Sequence, residues 1–123
     1  MEVLLDTNFI ISCILKKIDF LFQLQEQGFK VVVPREVIQE LKDLRLDNKL
    51  SHEERTAIKI ALELLSSKKI KKTTIGMGKV DALLIKKGRE GVYIATLDNE
   101  IKRQVPNKIV IFNSQKRIGI ERS

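Results

Sequence analysis

The chain has 123 residues, of which 43% are hydrophobic, so it is long enough for one domain with a buried core and too short for two. No apolar run approaches the roughly 18 residues of a membrane span, and the amino terminus enters a strand pattern directly, without the regions of a signal peptide. The single cysteine, Cys13, excludes an internal disulfide. These features predict a single domain over residues 1–123, in the cytoplasm and away from membranes.

The net charge of +7 is concentrated in two segments. Residues 66–79 contain five lysines and no acid, and residues 101–123 contain six basic residues and one acid. A basic surface attracts polyanions, although lysine-rich surfaces also serve solubility. Charge therefore makes a nucleic acid a plausible partner without establishing one.

Apolar periodicity predicts alternating strands and helices along most of the chain. The first strand is Val3–Leu5, and the helix over residues 9–16 follows it, capped by Thr7 or Asn8. Next come a helix capped by Asp19 and closed by Gly28, a strand over 29–33, a helix over 35–44 and a loop over 45–50. A helix with a Ser51/Glu54 capping box then reaches Leu65, and a strand or edge over 70–75 and a loop over 76–78 follow it. The last elements are a helix over 79–87 closed by Gly88, a strand over 92–97, a short helix to about Gln104, and strands or edges over 108–112 and 118–121. This alternation predicts an α/β fold with a mainly parallel central sheet.

Four acids stand out by their positions. Asp6 and Asp98 each follow an apolar strand, where open α/β sheets bind their ligands. Glu40 and Asp81 lie in apolar helical stretches, where a carboxylate loses hydration unless something compensates. Gathered together the four would raise one another's pKa, and a divalent cation would relieve that repulsion. Oxygen ligands of this type favour Mg²⁺ or Mn²⁺.

Three of the four acids also have a simpler interpretation. Asp6 could serve only as the cap of the following helix. Glu40 could face outward and pair with Lys42 or Arg35, and Asp81 could interact only with its own helix dipole. The prediction of a site therefore depends on the fold bringing all four acids together.

The order of these motifs resembles the PIN domain over nearly the whole chain. The matching words are Leu5-Asp6-Thr7-Asn8, Glu40 within a helix, Val80-Asp81-Ala82-Leu83-Leu84-Ile85, and Ala95-Thr96-Leu97-Asp98. The resemblance implies a three-layer α/β/α domain around a mainly parallel sheet.

Within that superfamily the chain is most similar to the endonucleases of the small-subunit processome, which cut precursor ribosomal RNA. The similarity is in Asp6-Thr7-Asn8-Phe9, residues 93–103, Ser114-Gln115-Lys116-Arg117 and Ile120-Glu121-Arg122. The basic amino-terminal extension of the eukaryotic members is absent, and Ala82 stands where they have a second aspartate. These differences indicate a minimal, archaeal-like form.

The resemblance implies a metal-dependent endoribonuclease that cuts single-stranded or loop RNA, including precursor ribosomal RNA, and leaves a 5′-phosphate and a 3′-hydroxyl. Asp6, Asp81 and Asp98 would hold one or two Mg²⁺ or Mn²⁺ ions, Glu40 would bind or orient a second ion, and Glu100 would act through water. Asn8 and Thr96 would orient the carboxylates. The predicted phosphate contacts are Lys79, Lys102, Arg103, Lys116 and Arg117.

Other functions remain open at this stage. A small PIN ribonuclease can also be the toxin of a toxin–antitoxin pair, and a domain of this fold can bind RNA or ribosome-assembly factors without cutting. A receiver-like signalling domain is a weaker alternative, because no lysine follows an apolar strand where that domain needs it. The open partners are a second copy of the chain, ribosome-assembly factors and an antitoxin.

Overall fold

Strands and helices alternate along the chain in the computed structural model, which describes residues 1–122. The strands are β1 Glu2–Leu5, β2 Lys30–Pro34, β3 Lys71–Thr73, β4 Tyr93–Ala95, β5 Asn107–Phe112 and β6 Arg117–Arg122. The helices are α1 Thr7–Leu15, α2 Phe20–Glu26, α3 Arg35–Arg45, α4 His52–Leu65, α5 Val80–Arg89 and α6 Asn99–Gln104, and a 3₁₀ turn, Asn113–Gln115, joins β5 to β6. None of the helices described is both long and apolar enough to cross a membrane.

The six strands form one sheet in the order β3-β2-β1-β4-β5-β6. The first five are parallel to their neighbours, and β6 is antiparallel to β5. Because β1 lies between β2 and β4, with Val3 opposite both Val31 and Tyr93, the carboxyl ends of β1 and β4 are adjacent. The predicted fold class, a mainly parallel sheet with flanking helices, is confirmed.

Successive side chains of β1 point into two different cores, as the two-residue period of a strand requires. Val3 and Leu5 are fully buried in the larger core, with side chains of α1, α2, α3 and α4. Leu4 packs in a smaller core with Leu84 of α5 and Ile101 of α6. The helices thus cover both faces of the sheet, which makes the three layers.

Several predicted turns and caps are confirmed. The Asp19 carboxylate accepts a hydrogen bond from the Phe22 amide, and Gly28 has a φ of +88° just past α2. Ser51 Oγ accepts from the Glu54 amide at 3.1 Å, as the predicted capping box requires, but the Glu54 carboxylate accepts from the Ser51 hydroxyl at 3.0 Å instead of from the Ser51 amide.

Two helix boundaries were wrongly predicted. The cap of α1 is Asp6, not Thr7 or Asn8, which lie inside the helix. Gly88 does not close α5; it is buried within the helix, where a β-carbon would collide with Val105. A glycine here lets α5 pack closely against the chain that follows α6, and the left-handed residue beyond the helix is Gly91, at φ +103°.

Candidate active site

Asp6 is fixed at the carboxyl end of β1 by three hydrogen bonds. Its amide donates to the Ala95 carbonyl at 2.9 Å, which extends the pairing of β1 with β4. Its Oδ1 accepts from the Thr7 amide at 2.8 Å, and its Oδ2 accepts from the Thr96 hydroxyl at 2.7 Å. The residue is only 6% exposed, so the carboxylate is held in one orientation with little water around it.

Asp98 follows β4 and begins α6. Its Oδ1 accepts from the Glu100 amide at 2.8 Å, and its own amide donates to the Thr96 hydroxyl at 3.1 Å. Asp6 and Asp98 therefore both cap helices, as the simpler interpretation of Asp6 predicts. The fully buried Thr96 links the two, because its hydroxyl donates to one acid and accepts from the backbone of the other.

Glu40 and Asp81 approach these acids from α3 and α5. Burial raises the pKa of the half-buried Glu40 carboxyl, and the negative charges of Asp6 and Asp81 raise it further. Burial also raises the pKa of Asp6, with smaller contributions from Asp81 and Asp98, against the lowering effect of its hydrogen bonds from Thr96 and Thr7. The other three predicted acids thus lie within electrostatic reach of Asp6, at one edge of the sheet.

The donor chemistry of this edge fits a hard divalent cation. Among residues 1–122, no three Asp, Glu, His or Cys side chains stand close enough to form a preassembled metal site. Mg²⁺ does not require one, because it keeps several of its waters when it binds a protein, and carboxylates that stand farther away can act through those waters. The Thr7 hydroxyl is buried beside Glu40 and lowers its pKa, yet it is not in full hydrogen-bonding geometry with any described group. Repelling carboxylates and an unsatisfied hydroxyl are the conditions that a hydrated cation relieves.

A comparison with family models identifies the fold family. The model described as a PIN like domain matches residues 3–116, which is nearly the whole chain. The chain belongs to the PIN-like domain family. The prediction made from the order of the four acids is confirmed.

Two relatives of this PIN-like domain are informative. Ribonuclease VapC4 of Methanocaldococcus jannaschii is 27% identical over 107 residues, which cover 85% of this chain and 82% of that protein. The solved structure of the PIN domain endonuclease Utp24 matches 99% of this chain and 92% of its own, with a TM-score of 0.77 and 21% identity. At that identity the structural match shows a shared fold.

Glu36 is part of the site's framework, and the sequence did not predict it. Its carboxylate accepts hydrogen bonds from the Ile75 amide at 3.1 Å and from the Gly76 amide at 3.3 Å. Burial opposes its ionisation, but bonds from its own amide and from Ile75 and Gly76, with the charge of Arg35, lower the pKa of the Glu36 carboxyl. A glutamate in the first turn of a helix indicates only an interaction with the helix dipole, and nothing local reports a contact 39 residues away.

This anchor lies on the same helix face as an acid of the site. Glu36 and Glu40 are four residues apart on α3 and are therefore neighbours on its surface. A second bond, from Arg35 Nη1 to the Thr74 hydroxyl at 3.2 Å, holds the preceding residue of the same loop. The segment that leads into Asp81 is thus fixed against the helix that carries Glu40.

The predicted phosphate contacts fall into two groups. Lys79 is the exposed N-cap residue just before α5, two residues before Asp81, and Lys102 lies in the last turn of α6. Arg103 forms an ion pair with the exposed Glu100, the residue predicted to act on the metal through water. The first group of predicted phosphate contacts, Lys79, Lys102 and Arg103, therefore lies on or beside the two helices that begin near Asp81 and Asp98.

Lys116 and Arg117 lie elsewhere. Lys116 lines a cleft with the end of α1, and the Arg117 guanidinium stacks on Phe112 at 4.9 Å. None of the four acids lines the cleft beside Lys116. Asn8 is exposed in the first turn of α1, and its side chain makes no hydrogen bond to an acid within the described residues. Thr96, in contrast, binds Asp6 directly.

Proposed function

We propose that the protein is a divalent-metal-dependent endoribonuclease. The observation that carries this proposal is that Glu40, Asp81 and Asp98 converge on Asp6. The charges of Asp81 and Asp98 raise the pKa of Asp6, and the charges of Asp6 and Asp81 raise the pKa of Glu40. The relationship to a ribonuclease at 27% identity supports RNA as the substrate. The match to a PIN domain endonuclease supports internal cutting.

The carboxylates would have different roles in binding the metal. Asp6, Asp81 and Asp98 are the proposed ligands, and Glu40 would bind or orient a second ion, with Glu100 acting through water. When bound, Mg²⁺ or Mn²⁺ activates a water and neutralises charge on the phosphate during in-line displacement.

Other residues orient the acids and favour the ionised form of Asp6. The Thr96 hydroxyl favours the ionised form of Asp6 and fixes its orientation, since it donates to Oδ2. The Glu36 anchor holds the segment before Asp81, and burial keeps bulk water away from Asp6. Lys79 and Lys102, at the helices that carry Asp81 and follow Asp98, would contact phosphates on either side of the cut.

The proposed substrate is single-stranded or loop RNA. Its proposed source is precursor ribosomal RNA, on the strength of the motif words shared with the processome endonucleases, and the proposed location is the cytoplasm. A toxin role differs from this only in the RNA that is cut and in the need for an antitoxin. A non-catalytic binding module is disfavoured, because four carboxylates gathered at one edge repel RNA phosphates unless a metal is present.

The test is cleavage of end-labelled single-stranded and structured RNA in Mg²⁺, Mn²⁺ or EDTA. We compare the wild type with Asp98→Asn and with Glu63→Gln, which removes one charge from the exposed surface of α4. Metal-dependent cutting that is lost in Asp98→Asn and kept in Glu63→Gln supports the proposal. Cutting that persists in EDTA or in Asp98→Asn contradicts it.

A further inference from the structure

A second site of opposite charge lies at the far end of α1. Three lysines surround a cleft of about 370 Å³ between the end of α1 and the connection from β5 to β6. Its lining residues are Leu15, Lys16, Lys17, Asn113 and Lys116, with no acid among them. Asp6 begins α1 and Lys16 ends it, so the cleft is roughly 15 Å from the acids at 1.5 Å per residue.

Two of these lysines have a left-handed backbone conformation, which is energetically unfavourable for lysine. Lys17, at φ +58°, and Lys116, at φ +48°, are the non-glycine residues with positive φ in the described part of the chain. The left-handed region costs an L-residue stability, and glycine or asparagine normally occupies it. An unfavourable conformation that is kept by a charged residue suggests a use for its side chain.

The end of α2 provides an internal comparison for Lys17. At the end of α1, the Ile18 amide donates to the Cys13 carbonyl at 2.8 Å around Lys17. At the end of α2, the Phe29 amide donates to the Leu24 carbonyl at 3.0 Å around Gly28. The two helices close with the same hydrogen-bond pattern, and only the one beside the cleft uses lysine instead of glycine.

Within the described residues, none of the three lysines of the cleft forms an ion pair with an acid. Lys16 Nζ donates to Asn113 Oδ1 at 2.5 Å, and an ammonium group has further protons to donate. Neither Lys17 nor Lys116 forms an ion pair with any residue from 1 to 122. The carbonyl end of α1 favours cations nearby, which accounts for Lys16 and Lys17. Lys116 comes from a different element and adds a third positive charge to the cleft, which strengthens the attraction of the cleft for an anion.

We propose that this cleft binds a phosphate of the RNA backbone, at a distance from the bond that is cut. The ligand class rests on the proposed ribonuclease function, while the site itself rests on the three lysines and the left-handed backbone. A single strand bound at both ends of α1 would be held across the acids at one end and the lysines at the other. The cleft contacts phosphate only, so it adds affinity without reading sequence.

The test measures the binding of a labelled single-stranded RNA in Mg²⁺, with Asp98→Asn added to the wild type and to every variant so that cutting does not interfere. The variants are Lys17→Gly, Lys116→Gly and the double substitution. The matched control replaces two exposed lysines on other helices, Lys59→Gln with Lys86→Gln. Affinity is recorded across a range of salt concentrations, and the melting temperature is recorded for every variant.

We expect each glycine substitution to weaken RNA binding about fivefold near 0.1 M salt and to reduce the salt slope by about 0.7, the value for one phosphate contact on a single strand. The melting temperature should stay the same or rise, because glycine relieves the left-handed conformation. Binding should weaken less in the control variant.

Three results would overturn the proposal. The first is RNA affinity in the double variant equal to that of the control, and the second is a wild type that binds no RNA. The third is a lower melting temperature in both single variants, which would show that lysine is not strained at these positions. A wild type that binds RNA through the cleft but never cuts it would contradict the nuclease function alone.

Discussion

The Thr96 hydroxyl binds the Asp6 carboxylate at 2.7 Å across 90 residues of sequence. The same oxygen accepts a hydrogen bond from the Asp98 amide, so one buried side chain aligns the two acids that follow the neighbouring strands β1 and β4. Because the bond to Asp6 lowers the pKa of that carboxyl, Thr96 also favours its charged form, which is the form that the proposed metal would bind.

Replacing Thr96 by valine keeps the shape of the side chain and removes this bond. We expect Thr96→Val to reduce cleavage by roughly 10–100-fold, the usual effect of losing a group that orients a metal ligand. The acidic limb of the pH–rate profile should move to higher pH, since the pKa of Asp6 rises. Thr96→Ser, which keeps the hydroxyl, should recover most of the activity. An unchanged pH profile in Thr96→Val would show that the bond does not affect the reaction.

The raised pKa values of Asp6 and Glu40 predict how the stability of the metal-free protein changes with pH. Above their ordinary values of 3.8 and 4.5, the folded state holds protons on these groups more tightly than the unfolded state does. Their contribution to the free energy of unfolding is therefore full below those ordinary values and is lost as the pH rises through the raised ones. Glu36, whose pKa is lowered, contributes in the opposite direction and at lower pH.

The measurement is thermal unfolding in EDTA from acidic to neutral pH, for the wild type and Asp6→Asn. The loss of stability with rising pH should be smaller in Asp6→Asn, while Glu63→Gln should follow the wild type. At neutral pH, Mg²⁺ or Mn²⁺ should raise the melting temperature of the wild type. The free energy of unfolding should increase by about 2.7 kcal/mol when the metal concentration is 100 times its dissociation constant. Identical pH dependence in Asp6→Asn and the wild type would remove the electrostatic argument for the site.

The Glu36 anchor can be tested separately from the acids. Glu36→Ala removes the acceptor of the Ile75 and Gly76 amides, so their hydrogen exchange should accelerate and cleavage should fall by about tenfold as the segment before Asp81 loosens. Glu36→Gln keeps one acceptor oxygen and should have an intermediate effect on both measurements. Faster exchange without any change in cleavage would limit Glu36 to a role in stability.

The parts of the structure that were predictable depend on local signals. Asp6 and Asp98 were visible because an apolar strand ends at each, and the Ser51/Glu54 box and Gly28 because capping residues have fixed spacings. The order of these signals was sufficient for the family. The sheet register that places β4 beside β1 follows from the fold rather than from any one segment.

The parts that were missed depend on contacts between distant segments. Glu36 has no local feature that indicates Ile75 as its partner, and Gly88 reads as a helix end unless its contact with Val105 is known. Lys116 was predicted to contact phosphate, but its position at the end of α1, beside Lys16 and Lys17, could not be inferred from spacing. Packing between elements decides these positions.

The strand order also has a consequence for synthesis of the chain. β1 is made first, yet it completes its pairing only with β4, and Asp6 acquires its Thr96 partner 90 residues later. In a ribosome-bound chain whose β4 has not yet emerged, Thr96 and Asp98 are not available. Asp6 therefore lacks both its hydrogen bond from Thr96 and the neighbouring acid. Contacts this distant in sequence also slow folding. If these acids carry the proposed cleavage, the chain would not cut ribosomal RNA during its own synthesis until nearly the whole domain has emerged from the ribosome.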